Sequence, residues 1–185
     1  MAKSTVYLIL SLFFIAVTLK AQENIPPAPM IYDKVNLGIG GGLDYGGLGV
    51  DLLFYPHQNI GLFAGAGYAL AGVGFNAGMR YRFIPKKQPS KIAPYVIAMY
   101  GYNAAVAVTD ASQFNKLFYG PSFGAGLDFG LRPGKRGYWS VAMLVPVRSS
   151  EAKEYINDLE ENEGVEFGIG LLPVTFSIGY RLTIL

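Results

Sequence analysis

Six ionisable residues fall inside segments that read as strands: Asp44, Asp51, Arg80, Arg82, Asp128 and Arg181. Three carboxylates and three guanidiniums set among apolar runs can pair as a structural ion network, because buried charges must be compensated. They could also line a constriction that selects ions, but a closed sheet of about eight strands has an interior just wide enough for side chains to fill. Pairing is therefore the expected role, with Asp51, Arg80, Arg82, Asp128 and Arg181 as the interior candidates. By position along their strands, Asp51, Arg80, Asp128 and Arg181 fall between the middle of such a closed sheet and the end opposite its longest connections.

Catalytic inventories are thin. His57 is the single histidine, within FYPHQN and with no Ser and carboxylate arrangement beside it. Neither a catalytic triad nor a multi-histidine metal centre can be assembled from it, and a polar turn residue is its expected role. The glycine runs GIGGG (38–42) and GAG (65–67 and 124–126) fail to complete a phosphate-binding GxGxxG, because the closing positions are Leu43, Leu70 and Phe129. With no cysteine in the chain, disulfides, thiolate metal sites and lipid attachment through cysteine are excluded. No enzyme activity, cofactor or metal is expected.

One stretch has unusual composition. SSEAKEYINDLEENEGVEF gathers Glu151, Glu154, Asp158, Glu160, Glu161, Glu163 and Glu166 against Lys153, with Tyr155, Ile156 and Leu159 at helical spacing. It reads as a solvated acidic loop with one or two helical turns. The alternative is a surface patch for a divalent cation, lipopolysaccharide or a protein partner; it lacks the Asp/Asn and Gly pattern of a dedicated calcium loop.

The elements that would position these residues are strands. Of 185 residues, 51% are hydrophobic, 15% are charged and 24 are glycine. About a quarter of an ordinary soluble domain is charged, and glycine is poorly suited to helix interiors. The net charge of +2 gives no reason to expect nucleic acid. Residues 1–21 have the order of a secretory signal peptide, with Lys3, an apolar run and Ala21. The run is too short for a spanning helix, which needs about 20 apolar residues. Without Lys3 and Lys20, 13 cations remain against 13 anions. Residues 22–33, with Pro26, Pro27 and Pro29, read as an extended tether, and 34–185 as the folded domain.

From Val35 onward apolar residues alternate with small ones, a period of two. Phe75, Ala77, Met79, Tyr81 and Phe83 oppose Asn76, Gly78, Arg80 and Arg82. Phe123, Ala125, Leu127, Phe129 and Leu131 oppose Ser122, Gly124, Gly126, Asp128 and Gly130. Val174, Phe176, Ile178, Tyr180, Leu182 and Ile184 oppose Thr175, Ser177, Gly179, Arg181 and Thr183. Segments 60–70 and 94–108 are apolar on both phases, so alternation leaves their facing open. A helical reading of 60–79 fails on its six glycines, each costing about 1 kcal/mol against alanine. A soluble barrel would carry Lys and Glu on its outer phase. Here the second phase is Gly, Ser, Thr, Asn and Ala, which suits a cramped interior, while the apolar phase suits lipid. The expected fold is an all-β, eight-stranded antiparallel transmembrane β-barrel. Turns at 44–47 and 71–74 and loops at 109–117 and 148–166 would lie outside; 56–59, 85–91 and 132–136 would face the periplasm.

With the signal peptide, the alternating GPSFGAGLDFGL and VTFSIGYRLTIL segments and the strand count together, the chain resembles the small outer-membrane β-barrel proteins of Gram-negative bacteria, the OmpA-like or OmpX-like superfamily. The resemblance covers nearly all of the mature chain and implies the cell outer membrane as its location. It also implies outer-membrane lipid and lipopolysaccharide as surroundings, and delivery by the barrel assembly machinery. Such barrels usually end in an aromatic residue, whereas this chain ends in Ile184 and Leu185. A structural or surface-interaction role is expected; a narrow channel or a lipid-modifying enzyme are the rival classes.

Overall fold

The computed structural model describes residues 33–84, 91–108, 112–131, 135–162 and 171–185. Eight strands form a closed barrel in which each pairs antiparallel with its sequence neighbours and the last returns to the first. In chain order they are β1 (Val35–Gly42), β2 (Gly47–His57), β3 (Ile60–Tyr68), β4 (Val73–Arg82), β5 (Ile92–Val106), β6 (Lys116–Phe129), β7 (Gly137–Pro146) and β8 (Thr175–Thr183). Closure pairs every backbone ladder and leaves no sheet edge. The signal segment 1–21 lies outside the described residues, as does the tether up to residue 32.

The period-two pattern decides the facing. Leu37, Ile39, Phe75, Met79, Phe123 and Ile178 are exposed on the outer face, while Asn36, Asn76, Arg80, Ser122, Asp128 and Ser177 are buried inside. For the two segments that alternation left open, Leu62, Tyr68, Val96 and Tyr100 point outward, and Phe63, Tyr95, Ile97 and Met99 point inward. With Leu53 and Leu144 they form the apolar part of the interior, so the lumen holds larger side chains than its small-residue phase suggested.

Four features depart from the expectations. The β1–β2 connection does not project as an external turn. Leu43–Tyr45 forms a single 3-10 turn folded into the lumen, with Leu43, Asp44 and Tyr45 all buried. Gly42 (φ 137°) and Gly46 (φ 70°) supply the left-handed backbone that turns the chain inward and back. The β5–β6 hairpin reaches further than expected, because β6 already begins at Lys116, inside the expected loop 109–117. The acidic stretch is a helix of 13 residues, α1 (Ser150–Asn162), rather than one or two turns. Finally, Leu131 is buried against Ala93 and Tyr138 instead of facing outward. Gly130 (φ 85°) ends the alternation and reverses the phase.

The hairpin extension and α1 explain each other. A β-bulge interrupts the register between Tyr102 and Ala104, so Asn103 and Ala104 are both buried. Beyond it, Ala104, Val106 and Phe118 receive Ala152 and Leu159 of α1, with Tyr155 and Ile156 packed alongside. Phe118 shares the inward phase of Ser122, so α1 lies on a face continuous with the lumen lining. Tyr155 Oη donates to the Phe114 carbonyl at 2.9 Å, and Asn103 Nδ2 donates to the Val147 carbonyl at 2.9 Å. Without α1 this hairpin face would be exposed and apolar, and without the hairpin α1 would have nothing to bury its stripe.

Candidate functional site

The lumen is organised by three arginines, two of which, Arg181 and Arg80, reach across one intervening strand. Arg181 on β8 meets Asp51 on β2 at 2.7 Å through Nη2. Both sit opposite Gly38 of β1 in the ladder, and a Cβ at Gly38 would collide with the Asp51 carboxylate. Glycine at this position is what lets two residues on non-adjacent strands meet. Arg80 on β4 pairs with Asp128 on β6, its guanidinium stacked 3.6 Å from the Tyr95 ring centroid on the strand between. Tyr95 Oη lies 2.9 Å from Ser140 Oγ. Arg82 stacks over Tyr55 at 4.0 Å and forms a bidentate pair with Asp33 at 2.6 and 2.8 Å. That fork geometry is the strong form of the arginine–carboxylate pair.

The five interior candidates Asp51, Arg80, Arg82, Asp128 and Arg181 are thus all buried and all paired. Asp33 was missed as a partner: it ends the predicted tether and carries no alternation signal, yet it is 4% exposed and held by Arg82. Asp44 enters the network through the inturned 3-10 turn. It receives the Ser177 hydroxyl hydrogen bond and lies 3.5 Å from Arg181, which therefore serves two carboxyl groups. Among the described residues, four buried aspartates face three arginines.

The same turn explains much of the glycine content. Side chains added at Gly40 or Gly179 would strike the Tyr45 ring, and at Gly49, Gly65 or Gly67 the backbone of Asp44 and Tyr45. Glycine here forms a bed for the inturned segment, a more specific purpose than narrowness alone. Asn76 Nδ2 fastens the turn from β4 by donating to the carbonyls of Leu43 and Tyr102.

Outside the lumen, the acidic residues of α1 are presented on its exposed side. Glu151, Glu154, Asp158, Glu160 and Glu161 are exposed, with Glu151 bridged to Lys116 at 2.9 Å. Glu163 and Glu166 lie outside the described residues. His57 is exposed at the end of β2, its Nδ1 accepting the Asn59 backbone N–H at 3.4 Å.

The outer wall is apolar along the strands between their ends, and aromatic pairs mark two levels on it. Phe75 and Tyr119 pair toward one end at 4.9 Å; Tyr81 with Phe83 and Trp139 with Tyr180 pair toward the other at 5.0 and 5.2 Å. Along β4 and just beyond, Phe75 and Phe83 are eight positions apart, roughly 20 Å along the axis of a barrel tilted by about 40°. Where alanine replaces larger residues the wall is grooved. A cavity of about 460 Å³ lies over Ala98 between Met79, Tyr81 and Phe123, and another of about 400 Å³ over Ala64, Ala66 and Ala77.

Closed pairing, a side-chain-filled interior and an apolar wall define the class, an eight-stranded antiparallel β-barrel. No protein-family model matches the chain, and no curated protein sequence matches it. Among solved structures it is similar to the N-terminal β-barrel domain of Pseudomonas aeruginosa OprF, with 13% identity and a TM-score of 0.48 over 81% of this chain and 96% of that one.

Proposed function

We propose that this chain is a non-enzymatic barrel of the outer membrane, spanning it with its strands, plugged by its own side chains, and serving a structural or surface-interaction role. The observation that carries this is the outer wall. Its exposed strand positions include Leu37, Leu52, Phe75, Met79, Val96, Met143 and Ile178, and the exposed positions between the aromatic levels carry no charge. A soluble protein rarely exposes a contiguous apolar patch beyond a few hundred Å², whereas an apolar band about 25 Å tall with aromatic girdles suits a bilayer. The buried ion pairs and the inturned turn favour a plugged lumen over a channel. The end bearing α1 would face outward, presenting its acidic side to the lipopolysaccharide layer or a protein partner.

Envelope fractionation with protease treatment of intact cells tests the reading. The protein should sediment with outer membranes, and cleavage should fall within residues 148–166 while the barrel stays protected. Recovery in a soluble fraction, or cleavage throughout the strands, overturns it. Purified protein in planar bilayers should give no reproducible conductance; a stable single-channel step would refute the plug.

A further inference from the structure

The two ends of the barrel carry opposite charge, and the end away from α1 is built as a basic rim. Lys34, Lys91, Lys135 and Arg136 are all exposed. Their backbones are tied to the same end of the ladder: Lys34 O accepts from Tyr55 N at 2.8 Å, Lys91 O from Gly130 N at 2.6 Å, and Arg136 O from Thr183 N at 2.9 Å. Lys135 is the chain neighbour of Arg136. The described carboxylates near this end are Asp33, consumed by Arg82, and Asp128, consumed by Arg80, both buried. The rim is therefore a ring of cations without exposed acidic side chains among the described residues. Directly beside it on the outer wall lie the two aromatic pairs Tyr81–Phe83 and Trp139–Tyr180.

We infer that this rim is an interaction surface for the phosphates of an anionic phospholipid leaflet, the cations holding headgroups while the adjacent aromatic rings sit at the interface. Two independent features point to that partner. Aromatic side chains with one apolar and one wet side settle at the headgroup level, which puts the neighbouring cations at the depth of lipid phosphate. Basic residues near a membrane surface draw anionic lipid with about 1 kcal/mol each, and four are set around one rim. A protein polyanion would require no aromatic row beneath the charges. The inference rests on the membrane-spanning reading above and adds to it a lipid class and a side.

The chain carries its own reporter. Trp139 is its one tryptophan, 53% exposed and two positions into β7 from the rim. The protein is reconstituted in vesicles of equal parts phosphatidylcholine and phosphatidylglycerol, with one lipid or the other brominated near the headgroup. Quenching of Trp139 should report phosphatidylglycerol enriched at least ~3-fold over phosphatidylcholine. The combined Lys34→Gln, Lys91→Gln, Lys135→Gln and Arg136→Gln variant should show no preference. So should the unaltered protein in about 1 M salt, where the screening length falls to about 3 Å; this second arm decides even where the variant fails to fold. A Trp139→Phe/Tyr119→Trp protein, reporting from the Phe75–Tyr119 level at the α1 end, should show no enrichment. Equal quenching by both lipids in the unaltered protein overturns the inference, as does a preference that survives salt or appears at both ends. No quenching by either lipid would instead overturn the membrane-spanning reading.

Discussion

Asp128→Ala and Asp51→Ala remove the same side chain from equally buried sites, both within 1% of full burial, so they leave cavities of the same size. Their electrostatic consequences differ. Asp128 is the carboxylate paired with Arg80, and its loss leaves a fully buried guanidinium uncompensated, a change that costs about 3–5 kcal/mol. Asp51 shares Arg181 with Asp44, which lies 3.5 Å from the same Nη2 and remains after the substitution. Retaining that carboxyl contact to Arg181 should spare about 2 kcal/mol, the middle of the range for a hydrogen bond to a charged group. A difference of about 2 kcal/mol is roughly 30-fold in the unfolding equilibrium. Reversible urea unfolding in vesicles, followed by Trp139 emission, measures both variants on one scale. Equal destabilisation would refute the sharing of Arg181, and a cost below about 1 kcal/mol for Asp128→Ala would refute burial of the Arg80 pair. Replacing Arg80 and Asp128 together by Met and Leu should recover most of the loss, because a well-packed apolar substitute is often neutral.

Other substitutions address the wall, the glycine bed and the helix. Ala77→Arg places a charge outward between the aromatic levels and should destabilise the barrel in vesicles by about 2–4 kcal/mol; a change within about 0.5 kcal/mol is what a water-exposed surface would give. Gly38→Ala puts a methyl group against the Asp51 carboxylate and the Tyr45 ring, at an overpacking cost of about 1–3 kcal/mol. A double-mutant cycle with Tyr45→Ala should return coupling above about 0.5 kcal/mol. Leu159→Ala empties a site that is 2% exposed and should weaken α1 docking by about 2–5 kcal/mol. Limited proteolysis should then cut within residues 150–162 faster than in the unaltered protein while gel mobility of the folded barrel stays unchanged; unfolding of the whole barrel would contradict the packing of the lumen and of α1 as two distinct clusters.

Alternation made the strands legible because a half-buried sheet imposes its period on the sequence directly, as Phe75 to Phe83 shows. It was silent for 60–70 and 94–108, where inward Phe63, Tyr95, Ile97 and Met99 fill the lumen and so match the outer face in polarity. Five lumen charges were legible because charge on the small-residue phase has nowhere else to be compensated. Asp33 was not, since its pairing depends on the path of the chain entering the barrel rather than on a periodic position. The inward fold of Leu43–Tyr45 escaped for a related reason. Glycines at 42, 46 and 47 announce a tight connection, but the space for its inward direction comes largely from glycines on β3 and β8 that are distant in sequence. The extent of β6 and α1 is likewise a tertiary matter, each stabilising the other across residues 104–159.

The inturned segment also acts as a gauge for barrel closure. Tyr45 belongs to the first hairpin, and its ring lies over Gly40 of β1 and Gly179 of β8, the two strands whose pairing completes the cylinder. Side chains on one face recur every second residue, so a slip of β8 by one such step would bring Ser177 or Arg181 beneath the ring in place of Gly179. Both are too large for the space. Gly40 opposite Gly179 is thus the alignment at which the seam can shut over the tyrosine, and a residue of the first hairpin thereby fixes the registration of the last strand.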